Sequence, residues 1–294
     1  TGMHFRLHWT GLFAMLPRIR KNARMRGCGR FQEGFMKKKH GVVLAALAGF
    51  LIVTMLSASA GAVEFGARGF LWMPKIEGTM RADKDGIKGD NVDLKDDLGL
   101  DDELTYSVEV YAGGGNHHFS VMYTPLDYSA SASISRPITF NGQAYQTNSV
   151  VDSSFKINMF DGEYRYDLVN LENALGGFSF GLLGRVRYID GETRMSSAEL
   201  GEQKRTFTAV LPMVGAGLHI GLIANILEAR VNGAWTGYSG NQFYDASAEI
   251  SVTPFPFLDI HAGYRVMKLE LDDISDIYAD VDCNGPFVGI SIGF

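Results

Sequence analysis

The stretch "PFVGISIGF", Pro286 to Phe294, decides the fold. Every second residue, Val288, Ile290, Ile292 and Phe294, is large and apolar, while Gly289, Ser291 and Gly293 between them are small or polar. A period of two is the mark of a strand with two unlike faces. Chain ends fray unless a sheet holds them, so the pattern predicts that this strand is paired.

The same alternation recurs upstream. Val63, Phe65, Ala67, Gly69 and Leu71 alternate with Glu64, Gly66 and Arg68. Phe178, Phe180, Leu182, Gly184, Val186 and Tyr188 alternate with Ser179, Arg185 and Arg187, and Leu258, Ile260, Ala262, Tyr264 and Val266 with Asp259, His261 and Arg265. No long stretch beyond residue 61 has helical periodicity. Strands are expected over 63–81, 104–112, 117–140, 143–167, 178–195, 204–222, 227–238, 242–252, 258–271 and 286–294. Two segments change phase. Phe119, Val121 and Tyr123 are odd but Leu126, Tyr128, Ala130 and Ala132 even, across Pro125; Phe155, Ile157 and Met159 are odd but Tyr164 and Tyr166 even, across Asp161-Gly162. Each slip reads as a β-bulge, and Pro212 as another. Asn141-Gly142 reads as a hairpin turn between two of the long strands.

Charge is unevenly spread. Ten of the 27 basic residues but only one of the 33 acidic ones lie within residues 1–40, and residues 41–60 have neither. That leaves seventeen against thirty-two over residues 61–294, a net of −15. An acidic body excludes nucleic acid as a partner, since phosphate binding needs clustered Lys and Arg. The basic start has its own reading. Lys37 to His40, the apolar run Val42 to Leu56 and the small residues Ala58 and Ala60 form a secretory signal peptide over residues 36–60, with cleavage after Ala60 or Ala62. Residues 1–35 read as upstream sequence outside the fold, and residues 61–294 as one exported domain. Past the leader only Cys283 remains, so no intramolecular disulfide and no cysteine metal or redox pair is expected.

A soluble sandwich and a transmembrane barrel both alternate. Three features favour the barrel. The polar face is charged: Glu64, Arg68, Glu109, Lys156, Glu163, Arg165, Arg185, Arg187, Glu228, Arg230, Asp245, Glu249, His261 and Arg265. Several strands reach the roughly 9–11 residues that cross a bilayer at a tilt. Aromatics near strand ends (Trp72, Tyr106, Tyr123, Tyr128, Tyr166, Tyr188, Trp235, Tyr238) fall where interfacial girdles belong. A closed barrel also has no sheet edge to expose to lipid. The fold class is therefore all-β, a single antiparallel transmembrane β-barrel of about ten strands. Eight is the alternative, if the 227–238 and 242–252 hairpin is misread.

Residues 61–294 resemble, in this architecture, the outer-membrane β-barrel proteins of Gram-negative bacteria. "FVGISIGF", residues 287–294, is similar to the C-terminal assembly signal of that class in Gly289, Ile292 and Phe294, with Phe287 where a polar residue is usual. The resemblance implies that the barrel assembly machinery reads this strand and that outer-membrane lipid and lipopolysaccharide surround the barrel. "DLKDDLGL", Asp93 to Leu100, resembles a segment of small barrels of this class and brings no activity with it. An even strand count puts both termini in the periplasm. The short turns near 113–116, 168–177, 223–226 and 253–257 are then periplasmic, and the segments 82–103, 141–142, 196–203, 239–241 and 272–285 extracellular.

Three chemistries are weighed. The resemblance allows a protease or lipid A deacylase, built on a histidine near the outer rim. His117, His118, His219 and His261 all lie toward the periplasmic turns, and no Gly-x-Ser-x-Gly elbow supplies a nucleophile. Two acidic loops, Asp83–Glu103 and Glu270–Asp282, should meet where the first and last strands close, so Asp96, Asp97, Asp272 and Asp273 are a candidate Ca²⁺ or Mg²⁺ site; the spacing is not that of an EF-hand. Third, the inward charges nearly balance, which suits a lumen filled by ion pairs among Glu64, Arg68, Glu109, Glu163, Arg165, Arg185, Arg187, Glu228, Arg230, Glu249 and Arg265 better than a one-signed ion filter. The function expected is non-enzymatic, structural or interactive, with no cofactor beyond that divalent cation. The alternatives are a narrow channel for small solutes and a hydrolase.

Overall fold

The computed structural model describes residues 63–171, 177–223, 226–238, 240–274 and 276–294. The leader and the upstream segment lie outside the described residues. The strands are β1 (Val63–Trp72), β2 (Lys75–Ala82), β3 (Val92–Asp93), β4 (Thr105–Gly114), β5 (His117–Ser133), β6 (Ile138–Phe140), β7 (Gln143–Tyr145), β8 (Val150–Asn170), β9 (Phe178–Ser197), β10 (Gly201–Ile223), β11 (Leu227–Tyr238), β12 (Asn241–Phe255), β13 (Leu258–Ile274) and β14 (Ile277–Gly293). Every pairing is antiparallel; β1 pairs with β4 and β5 with β8, the other wall strands pair in chain order, and the wall closes where β14 meets β1 and β2. Along one half β14 pairs with β1 (Gly66↔Gly293 to Trp72↔Phe287), and along the other with β2 (Lys75↔Asn284 to Ala82↔Ile277). β1 and β2 are thus one wall strand interrupted at Met73-Pro74, and the barrel has ten strands. Val288, Ile290, Ile292 and Phe294 are exposed on the outer face. At the seam Tyr111 lies over Gly66 and Gly293, where an added Cβ would collide with its hydroxyl.

The barrel has a terminal end, with Val63, Phe294 and the short turns, and a far end, with the long connections. Its two halves have opposite faces. On β8 the outward residues run Asp152, Ser154, Lys156, Asn158 and then Phe160, Tyr164, Tyr166, Leu168. The inward ones run Val151, Phe155, Ile157, Met159 and then Asp161, Glu163, Arg165, Asp167. β5 switches the same way between Pro125 and Asp127, β9 between Tyr188 and Asp190, and β10 between Thr208 and Val210. These switch points are neighbours in register: Tyr123↔Phe160, Phe160↔Tyr188 and Val210↔Tyr188. Outward Tyr106, Tyr123, Phe160 and Tyr188 form a chain of ring contacts 4.7–6.5 Å apart along this line.

The phase slips are therefore not bulges. Pairing runs unbroken through Pro125, Asp161-Gly162 and Pro212. The strand stays regular while its surroundings change. Below the line the outside meets lipid and is apolar; above it the outside meets water, is polar, and the apolar residues turn inward. Length requires this. β10 has 23 residues, which at about 3.3 Å each and a tilt near 40° reach roughly 58 Å. The apolar band of such barrels is only about 25 Å tall.

Other expectations change with the same inversion. Trp72 and Tyr128 point inward and are fully buried, so neither belongs to the girdle. Lys156 is outside, paired with Asp127 at 2.7 Å. The segment 272–285 is not a loop: β13 and β14 run to Ile274 and from Ile277, and Cys283 is buried. Asn141-Gly142 does not join two wall strands. It closes the small separate hairpin β6–β7, with both residues at positive φ.

That hairpin and residues 83–104 complete the far half. β4 starts only at Thr105, opposite Trp72, so above it β2 and β5 have no strand between them. Residues 83–104 fill the gap. β3 pairs with Thr79 and Met80, Leu94 N–H donates to Gly78 O (3.0 Å), and Leu94, Leu98 and Leu100 are buried inside. The hairpin is tied on by Asp90 N–H to Thr139 O (2.8 Å) and Asn141 N–H to Ala82 O (2.9 Å). Its Ile138, Phe140 and Tyr145 join one apolar core with Trp72, Ile76, Phe155 and Ile189.

Candidate functional site

The lumen is stacked in three tiers. The far tier is that apolar core. Beneath it lies a buried ion-pair layer, held on two pairs of adjoining strands, β8–β9 and β12–β13, with β10 and β11 between the pairs. Arg187 is fully buried; its Nε and Nη2 donate to the two oxygens of Asp161 (both 2.6 Å), and Nη2 also reaches Asp245 (2.5 Å). Arg265 donates to both oxygens of Asp245 (2.9 and 2.6 Å), and Arg185 to Glu163 (2.6 Å). Rings of the tier above cap the layer: the Arg187 guanidinium stands 4.9 Å from the Phe243 ring and that of Arg265 4.8 Å from Trp72. Alternation explains the arrangement, since inward positions two residues apart on adjoining strands bring unlike charges opposite one another. Three guanidinium groups against Asp161, Glu163 and Asp245 leave this layer neutral, as burial demands.

The third tier, at the terminal end, is a cavity of about 500 Å³. Five carboxylates line it, from Glu64, Glu109, Glu163, Glu228 and Asp259, with three guanidinium groups, from Arg68, Arg165 and Arg230. Arg68 reaches Glu249 at 2.6 Å and Glu109 at 3.6 Å, Arg165 reaches Asp167 at 3.0 Å, and Arg230 reaches Glu228 at 2.6 Å and Glu249 at 3.4 Å. Two histidines face the cavity and meet acids there: His118 Nε2 lies 2.8 Å from Asp167, behind the lining, and His219 Nε2 3.2 Å from Glu228, within it. His261 is buried, and neither of its ring nitrogens has a hydrogen-bond partner among the described residues.

The eleven charged residues expected in the lumen thus all lie in its terminal half, and the far half holds apolar side chains instead. Asp161 and Asp167 complete the networks but escaped the sequence reading. The alternation alone makes Asp161 part of a bulge and Asp167 a strand end; their odd parity with Glu163 and Arg165 is the signal that places them inside. The candidate cation residues are placed otherwise. The Asp97 carboxylate is held by Arg136 at 2.5 Å and also accepts the Asp93 N–H (2.9 Å), inside a turn that sends Leu94 and Leu98 into the core. Asp96 is exposed; Asp272 and Asp273 lie at the β13–β14 turn. Barrel closure does bring the two loops together, through Asp83 N–H to Asp276 O (2.9 Å) and Arg81 stacked on Tyr278 at 3.6 Å. Among the described residues no group of three or more His, Cys, Asp or Glu is disposed to hold a metal ion. All four histidines of residues 63–294 sit in the terminal half.

The chain is similar to a solved structure, the outer membrane protease OmpT of Escherichia coli, at 9% identity and a TM-score of 0.55, over 79% of this chain and 97% of that one. The fold is that of an outer-membrane β-barrel. Also similar are the translocator domain of the autotransporter NalP from Neisseria meningitidis (10% identity, TM-score 0.42, 87% and 97% of the chains) and Ail, the attachment invasion locus protein of Yersinia pestis (11%, 0.36, 79% and 99%). No protein-family model and no curated protein matches the chain.

Proposed function

We propose that this chain is a non-enzymatic, non-conducting barrel of the outer membrane with a structural or interaction role. Its signal peptide would be cleaved, both termini would face the periplasm, and the far half would stand outside the cell, among lipopolysaccharide. Gly289, Ile292 and Phe294 would serve the assembly machinery. The observation that carries the reading is the sealed lumen: a packed apolar tier above a neutral ion-pair layer offers an ion no hydrated path. A rim hydrolase has little support, because the far half contains no histidine. The test is single-channel recording of the refolded protein in planar bilayers. Silence is expected; reproducible conductance steps would favour the narrow channel instead.

A further inference from the structure

We infer that the far half of β10 is a docking edge for an extended segment of a partner protein, which pairs with it as an added strand. The inference deepens the interaction role proposed above and rests on it for the side of the membrane involved. The first argument is backbone accounting. β10 pairs with β9 from Gly201 to Ile220, but with β11 only from Val214 to Ile223. Gly221 N–H donates to Gly177 O, just before β9 (2.7 Å), so odd residues of β10 turn their backbone groups toward β9 and even ones toward β11. Pro212, with no N–H to give, stands where the β11 ladder stops. Beyond it the N–H and C=O groups of Glu202, Lys204, Thr206, Thr208 and Val210 have no backbone partner among the described residues. The edge of β2 differs: there Leu94 and Asn141 N–H groups bond to Gly78 O and Ala82 O. Free charges commonly guard such edges. Here both charges lean back onto β9, Glu202 to Arg194 at 3.1 Å and Lys204 to Glu192 at 2.6 Å.

The second argument is what this edge selects. Its unpaired groups recur at every second residue, about 7 Å apart, a repeat that another extended chain matches. Beside them Phe207, Ala209 and Leu211 turn inward and are only partly buried at the margin of the apolar core, whereas inward Gly191, Thr193 and Met195 of β9 are buried. A partner strand with apolar residues at alternate positions covers that margin, and polar residues between them continue the outer face of Thr206 and Thr208. There is room for it. The β11–β12 hairpin turns back between Tyr238 and Asn241, and there β10 and β13 are three strand spacings apart, about 14 Å. A second copy in the same membrane does not fit. A two-fold axis along the bilayer normal makes both β10 strands run the same way and lean oppositely, crossing at roughly 80°.

The test is amide hydrogen exchange, read by NMR, on the full chain folded in neutral detergent. It is run alone, with an acetylated peptide of alternating valine and threonine flanked by lysines, and with the fully N-methylated form of that peptide. Alone, the amides of Lys204, Thr206 and Thr208 should exchange roughly a hundredfold faster than those of Arg205, Phe207 and Ala209, which β9 holds. The peptide should slow the first set saturably, and the N-methylated form should not. Thr206→Pro removes an N–H that holds nothing in the wall and should weaken peptide binding about tenfold. Heat-modifiable gel migration checks its folding, and the exchange pattern needs no variant. Protection of the even amides without peptide, or protection that grows with protein concentration as a second copy would give, overturns the inference. So does equal protection by the N-methylated peptide, or none from the peptide at millimolar concentration. Conductance, which tests the sealed lumen, is read separately, so either reading can fail alone.

Discussion

Replacing Arg187 with Met tests the ion-pair layer most directly. The guanidinium is fully buried and supplies the hydrogen bonds that Asp161 receives, two at 2.6 Å. Asp245 loses one contact but keeps both bonds from Arg265. The cost therefore falls on Asp161, left as a buried carboxylate without a cation, and such losses cost about 3–5 kcal/mol. The double variant Arg187→Met with Asp161→Asn removes the orphaned charge and should recover most of that. At the middle of the range the single variant shifts the folded fraction by roughly a thousandfold. Urea titration of the barrel refolded into vesicles, followed by tryptophan fluorescence, measures both. A single-variant loss under about 1 kcal/mol, equal to that of the double variant, would mean that water already solvates Asp161. The sealing argument would then fail.

Other outcomes are expected of the two halves. Val214 faces lipid and Thr206 faces outward on the same strand beyond the switch line, so Val214→Lys should cost about 2–4 kcal/mol and Thr206→Lys close to nothing, by the same titration. Leu98→Ala should cost about 2–5 kcal/mol, because that side chain fills the core between β2 and β5 rather than a solvated loop. Cys283 is 2% exposed, so a maleimide should leave it untouched in the folded protein and label it after unfolding. The Lys95 ammonium, 2.9 Å from Asp102, holds that carboxyl below its ordinary value. The small stabilisation this exposed pair adds is therefore present above the unfolded-state value and fades as pH falls through the folded one. An NMR titration of Asp102 should give a midpoint that Lys95→Met raises.

Parity carried most of the architecture. In β9 the odd residues Arg185 and Arg187 and the even residues Leu182 and Val186 already separate inside from outside, and the closing strand reads the same way. What parity could not reveal was that one strand crosses two solvents. Ile157 and Tyr164 are both apolar because one meets protein and the other lipid, yet a single-environment reading makes them a bulge. Residues 83–104 were opaque for a related reason. Their acids dominate the composition, whereas Leu94, Leu98 and Leu100 do the packing once Asp93 and Asp97 have shaped the turn. The cavity depended on which arginine leans toward which acid, and that is settled across strands far apart in the chain.

The inversion along the wall also acts as a plimsoll line. Sinking by two residues would move the barrel roughly 5 Å along the bilayer normal and draw Lys75, Asp127, Asp190 and Lys268 toward hydrocarbon. Rising by as much would lift Tyr123, Phe160, Tyr188 and Tyr264 out of the interface. Either displacement opposes several side chains at once, around the whole circumference. The barrel therefore floats at one depth and resists tilting, and whatever its far end presents is held at a fixed height above the lipid.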